Sequence, residues 1–173
     1  MPKKKPNTDA TAYHEAGHAV VNNVLGLSID AATIAPCDAS VGPCPSCHPG
    51  YGNEGASSRE RASHVRDYAI SCYAGLAAEH VFLGVAYSFE EGAQHGAWDD
   101  HKTALDLVFN HVPLRRGRPG ADAVFFAYVA KLQRKALALV RANRSAVDRV
   151  ALALIERHTL TGDEVRALCR RAG

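Results

Sequence analysis

The sequence predicts a mainly α fold, a helical domain with one or two short strands packed beside its first helix. Three observations lead there. Apolar residues recur at three- and four-residue spacings along most of the chain, helix-capping residues stand at the heads of those stretches, and only SIDAATIAP (28–36) reads as a strand. Asn7, Thr8 and Asp9 offer N-caps for a first helix over 9–25 that Gly26 ends. His14, His18, Val21 and Leu25 share one stripe of it, and Gly17 weakens it while letting another element come close. The strand stops at Pro36, and residues 36–57 read as a loop rich in Cys, Pro and Gly.

Ser57 and Glu60 form a capping box for a second helix, which carries Val65, Ala69, Cys72, Leu76 and Phe82 and runs to about Gly84. SFEEGAQHGAWDD reads as loop, and a third helix spans about Asp99 to His111 before Pro113. Residues 123–143 give a long fourth helix and 145–158 a fifth. Thr161 and Glu164 cap a short last one that reaches about Arg170. Residues 9–173 are expected to form one domain, with 1–8 a disordered basic tail holding Lys3, Lys4 and Lys5.

Composition narrows the function. Twenty basic residues against eighteen acidic leave a formal charge of +2, too small to point to nucleic acid, and no basic helix face with interleaved aromatics stands out. Arg115, Arg116 and Arg118 lie in PLRRGRPG, which reads as an exposed loop. No apolar run is long enough to span a membrane and no signal peptide is visible, so the expected location is cytoplasmic. Cys72 and Cys169 fall within helical patterns as free thiols.

Chemistry concentrates in TAYHEAGHAVV (11–21). His14 and His18 are just over one helical turn apart, so their rings project from one face and can close on a single ion. Glu15 follows the first histidine, where it can take a proton from a water on that ion. A catalytic zinc needs a third protein ligand and an open position for water. The residues eligible are Glu79, His80, His95, Asp99, Asp100 and His101. Glu79 has the logic of a glutamate on a second, antiparallel helix. Asp100 has the logic of a carboxylate at the head of a helix, where the dipole helps it stay ionised. On residue chemistry alone the two stay level. Cys37, Cys44, Cys47 and His48 give C-x6-C-x2-C-H, open to a second structural zinc, a Cys44–Cys47 disulfide or free thiols.

Four segments together resemble the peptidase domain of the FtsH family of membrane-anchored, ATP-dependent zinc proteases. AYHEAGHAVV, YAISCYAGLAAEHVFLG, GAWDDHKTALDLV and LALIERHTLTGDEVRAL stand in that family's order and cover about residues 10–170. The resemblance implies a helical, zincin-like peptidase. It implies zinc held by His14, His18 and Asp100, with Glu15 as general base and Glu79 steadying a ligand histidine through its other ring nitrogen. It also implies polypeptide substrates, a ring of copies and, with no ATPase segment in the chain, a separately encoded ATPase as a partner. Two departures bear on the groove. HVPLRRGRPG stands where the family has a glycine-methionine-serine turn, and the cysteine-rich segment is foreign to the pattern. The rival expectation is a non-catalytic metal-binding or regulatory interaction module of the same fold.

Overall fold

The computed structural model describes residues 8–35, 58–89, 97–112 and 119–170. Seven helices and two strands occur among them, so the mainly α expectation is borne out. The helices are α1 (Thr8–Leu25), α2 (Ser58–Cys72), α3 (Ala74–Leu83), α4 (Ala97–His111), α5 (Ala121–Ala142), α6 (Arg144–Arg157) and α7 (Gly162–Arg170). The strands are β1 (Ala31–Thr33) and β2 (Thr159–Thr161). The basic tail, the Ser57 end of the capping box, the cysteine segment and the arginines of PLRRGRPG lie outside the described residues.

Helix α1 runs through the middle. Ala12, Ala16, Ala19, Val20 and Val21 are fully buried and cover more than one face, because α3 and α6 pack along its length while α2, α5, α7 and β1 also touch it. A helix surrounded this way needs small residues, and four of the eleven in TAYHEAGHAVV are alanine or glycine for that reason. Valines from α6, Val147 and Val150, together with Leu154 and Val140, close the opposite side of the core.

The strand is shorter than expected, three residues rather than nine. Its partner is Thr159–Thr161, which the sequence pattern had not distinguished from the turn before the last helix. The pair is antiparallel, with Ala32 opposite Leu160, both buried, and Thr33 opposite Thr159 with their hydroxyls 2.8 Å apart. The expected capping of α7 is present. The Thr161 N–H donates to Glu164 Oε2 (2.8 Å), and the Glu164 N–H donates to Thr161 Oγ1 (3.3 Å).

The largest correction concerns the second helix, which is two helices broken at Tyr73. The Tyr73 N–H reaches back only three residues, to the Ile70 carbonyl (3.1 Å), which tightens and ends α2. Its side chain is fully buried, with the ring edge-on to Phe89 (5.0 Å between centroids) and the hydroxyl hydrogen-bonded to His101 Nδ1 (3.2 Å). Those contacts are tertiary, so the helical period runs through the break unaltered and no sequence signal marks it.

Gly17 explains how close α1 and α3 lie. A Cβ at Gly17 would collide with the Ala74 carbonyl and come within 2.8 Å of the Ala78 Cβ. Gly17→Ala should therefore lower stability. Higher helix propensity favours alanine by about 1 kcal/mol, but overpacking a rigid helix contact costs about 1–3 kcal/mol, and the obstructing atom is backbone that cannot rotate away. Urea unfolding of the two proteins measures the difference. A variant as stable as the parent would mean that the helices have room to part.

Candidate metal centre

Three elements bring the predicted residues together. Helix α1 presents His14 and His18 on one face, α3 stands behind them with Glu79, and the first turn of α4 presents Asp100. His14 is nearly fully buried and His18 only slightly less so, whereas Asp100 keeps 29% of its side chain exposed and marks the open side.

Hydrogen bonds behind the rings decide which nitrogens face the centre. His18 Nδ1 lies 2.8 Å from the Ser71 carbonyl, which can only accept, so Nδ1 carries the hydrogen and donates. In the neutral ring the lone pair is then on Nε2. That carbonyl is available because α2 ends at Cys72 and the carbonyls of a last helical turn lack helical partners. His14 Nδ1 lies 2.7 Å from Glu79 Oε1, which likewise turns the His14 Nε2 lone pair inward.

On the inner side the two Nε2 atoms are 3.0 Å apart, and Asp100 Oδ2 is 3.0 Å from one and 3.3 Å from the other. Three lone-pair atoms at this spacing repel unless a cation sits among them. A tetrahedral ion with ligands at about 2.0–2.1 Å holds its ligand atoms about 3.3–3.4 Å apart, close to what is found here. Gly75 keeps the space clear, since a Cβ there would lie 2.5 Å from His14 Nε2 and 2.6 Å from His18 Nε2. Glu79 Oε2 is buried with no hydrogen-bond partner, a further sign that positive charge belongs nearby. The set fits zinc, for which two imidazoles and a carboxylate are ordinary ligands.

Where no metal binds, a proton fills part of the same role. Burial opposes a charge on His14, but the hydrogen bonds to Asp100 and Glu79 outweigh it and push the ring up to about 10. Burial likewise opposes a charge on His18, and the nearby Asp100 carboxylate overcomes it and raises that ring too. For Asp100 burial opposes ionisation, yet His18 and His14 hold its carboxyl well below the usual range.

The remaining candidates stand elsewhere. Asp99 is exposed and paired with Lys102 (2.8 Å), and His80 Nδ1 donates to the Val85 carbonyl (2.8 Å). His101 faces away from the centre, stacked on Phe89 with ring centroids 5.2 Å apart, which anchors the first turn of α4 and so the position of Asp100. Glu15 is half-buried on α1, and its charge adds to the field that raises both histidines. His95 and the set Cys37, Cys44, Cys47 and His48 lie outside the described residues. The residues that sequence reasoning missed are Gly75 and Ser71. A glycine among the alanines of AGLAA is a signal of close approach, but nothing in the sequence says to what.

The raised His14 fixes a sign for pH dependence. Below about pH 10 the metal-free ring carries a proton that an entering ion must displace, so affinity for zinc should rise with pH across the neutral and mildly alkaline range. Calorimetric titration in two buffers of different ionisation enthalpy, at one pH near 8, should show proton release on binding. Identical heats in the two buffers would contradict it. In Asp100→Ala, zinc affinity should fall well over tenfold.

Sequence comparisons agree with this chemistry. The chain is 34% identical to the ATP-dependent zinc metalloprotease FtsH 1 of Symbiobacterium thermophilum, over 91% of this chain and 28% of that protein. It is 29% identical to the ATP-dependent zinc metalloprotease FTSH 9, chloroplastic/mitochondrial, of Oryza sativa subsp. japonica, over 90% of this chain and 21% of that protein. No family model matches. The chain thus spans about a quarter of the length of these curated relatives. With both matches running along nine tenths of its residues, the comparisons support an FtsH-type peptidase domain.

Proposed function

We propose that the chain is a zinc-dependent endopeptidase that cuts unfolded or flexible polypeptides, with the ion held by His14 Nε2, His18 Nε2 and an Asp100 carboxylate oxygen. The observation that carries this reading is the convergence of three lone-pair atoms within 3.3 Å of one another on the half-open side of α1. Zinc in that position would supply Lewis acidity, making a water more acidic and polarising the scissile carbonyl. The chain's own residues do the rest. Glu15 accepts a proton from the attacking water on a carboxylate oxygen and returns it to the leaving amine nitrogen. Glu79 and the Ser71 carbonyl hold the two rings in the tautomer that turns Nε2 inward. The exposed part of Asp100 marks the side from which substrate enters.

An extended substrate segment is suited to lie against β1, which among the described residues pairs only with β2. Main-chain pairing of that kind gives affinity with little sequence preference. Both relatives are named as ATP-dependent, which supports an ATP-driven unfolding partner for this chain. A ring of copies and a cytoplasmic location complete the reading. No helix among the described residues is long and apolar enough to cross a membrane.

Glu15→Gln tests the mechanism. The amide cannot accept the water proton, so cleavage of an unfolded polypeptide should fall by about 10²–10⁴-fold while zinc content and fold are kept. Equal rates in the two proteins would remove Glu15 from the reaction. No cleavage by the fully loaded parent would favour the non-catalytic module instead.

A second test addresses access. An active site between packed helices takes extended chain only, so the 173-residue chain assayed alone should cut an unstructured polypeptide much faster than the same polypeptide held folded by a tight ligand. Matched initial rates measure this, and equal rates would refute it.

A further inference from the structure

A second concave site lies at the far end of α1. It is a groove of about 710 Å³ between α1, α2 and α5, the size of a ligand or peptide side-chain site. Leu25, Ile70 and Leu132 contribute an apolar floor, and Lys131, Arg134 and Lys135 stand along one edge. Those three cations sit at i, i+3 and i+4 of α5, so they share one face of that helix and repel each other. All three are exposed, and none has an ion pair among the described residues. The one acid lining the groove, Asp67, is already committed to Arg66 (2.9 Å). Folding therefore sets this short basic face beside an apolar groove and leaves its charge uncompensated.

We infer that this groove is a docking site, separate from the metal centre, for an acidic segment of the polypeptide substrate that carries apolar side chains. Charge complementarity selects carboxylates for the edge formed by α5. The apolar floor selects side chains such as leucine and disfavours a purely phosphate-based ligand. The location selects substrate. Leu25 lies on the same stripe of α1 as His14 and His18, seven residues and about 10 Å beyond His18. Ile70 immediately precedes Ser71, whose carbonyl holds His18. Fully buried Val21 lies between Leu25 and His18 on α1, so the groove and the centre are distinct sites on one helix.

The inference rests on the peptidase reading, and the test keeps the two apart. Binding of a short fluorescent peptide of glutamates and leucines is followed by anisotropy with the zinc-loaded Glu15→Gln chain, which does not consume it. The expected result is binding that weakens with salt and that falls about tenfold in a Lys131→Glu, Lys135→Glu double variant. The matching double arginine variant should retain it. A peptide with glutamines in place of the glutamates should bind more weakly and lose little in the charge-reversed variant. Circular dichroism and zinc content of both variants, unchanged from the parent, exclude a folding effect. Equal affinity in parent and charge-reversed chains overturns the inference, as does binding of anionic vesicles or single-stranded nucleic acid in preference to the peptide. Cleavage with no charge-dependent docking sinks the groove alone, and docking without any cleavage by the parent chain sinks the peptidase reading alone.

Discussion

With no side chain at Gly17, α1 meets the Ala74 carbonyl and the Ala78 methyl group of α3 directly, and the geometry of the centre follows from that spacing. Glu79 reaches His14 because it directly follows Ala78 on the same close-packed helix. Gly75, one residue beyond Ala74, faces the two imidazoles and leaves room between their inner nitrogens. A wider gap between the helices would lose the carboxyl behind His14, and a methyl group at either glycine would press on backbone or on the rings. Packing and chemistry are thus a single constraint here, satisfied by small residues along both helices.

The polar groups at this junction would be costly if left to themselves. A buried carboxyl with an unpartnered oxygen, one buried imidazole, a second that is largely covered and a half-buried aspartate gather acceptors where the core should be apolar. Each unsatisfied group of this kind costs about 1–3 kcal/mol. A cation offsets the arrangement whichever form it takes. A proton on His14 does so in the metal-free chain, which is why that ring is raised, and a metal ion would do so as well, since His14, His18 and Asp100 all turn a ligand atom inward. The outer hydrogen bonds to Glu79 and Ser71 hold in either case, so the rings need not turn when one cation replaces the other.

Much of the fold was legible in the residue order. The first, third, fourth and fifth expected helices match α1, α4, α5 and α6 to within two residues at either end, because amphipathic spacing, glycine and proline act locally. The Thr161–Glu164 box was legible for the same reason. The break at Tyr73 was not, since it depends on Phe89 and His101 from elsewhere in the chain, and neither was the pairing of Thr159–Thr161 with β1 across more than 120 residues. The basic face of α5 escaped notice because three cations on a helix are ordinary until a groove is seen beside them.

Residue order by itself determined that His14 and His18 share a helical face with Glu15 next to them, because a four-residue spacing is a property of the helix alone. It left Glu79 and Asp100 level, since both are carboxyls on helices and nothing local tells them apart. Only the tertiary structure decided their places. Glu79 meets Nδ1 of His14 from 65 residues away and Asp100 meets Nε2 of the same ring from 86 residues away. One imidazole has two nitrogens on opposite edges, and which carboxyl reaches which edge depends on how three helices pack around it.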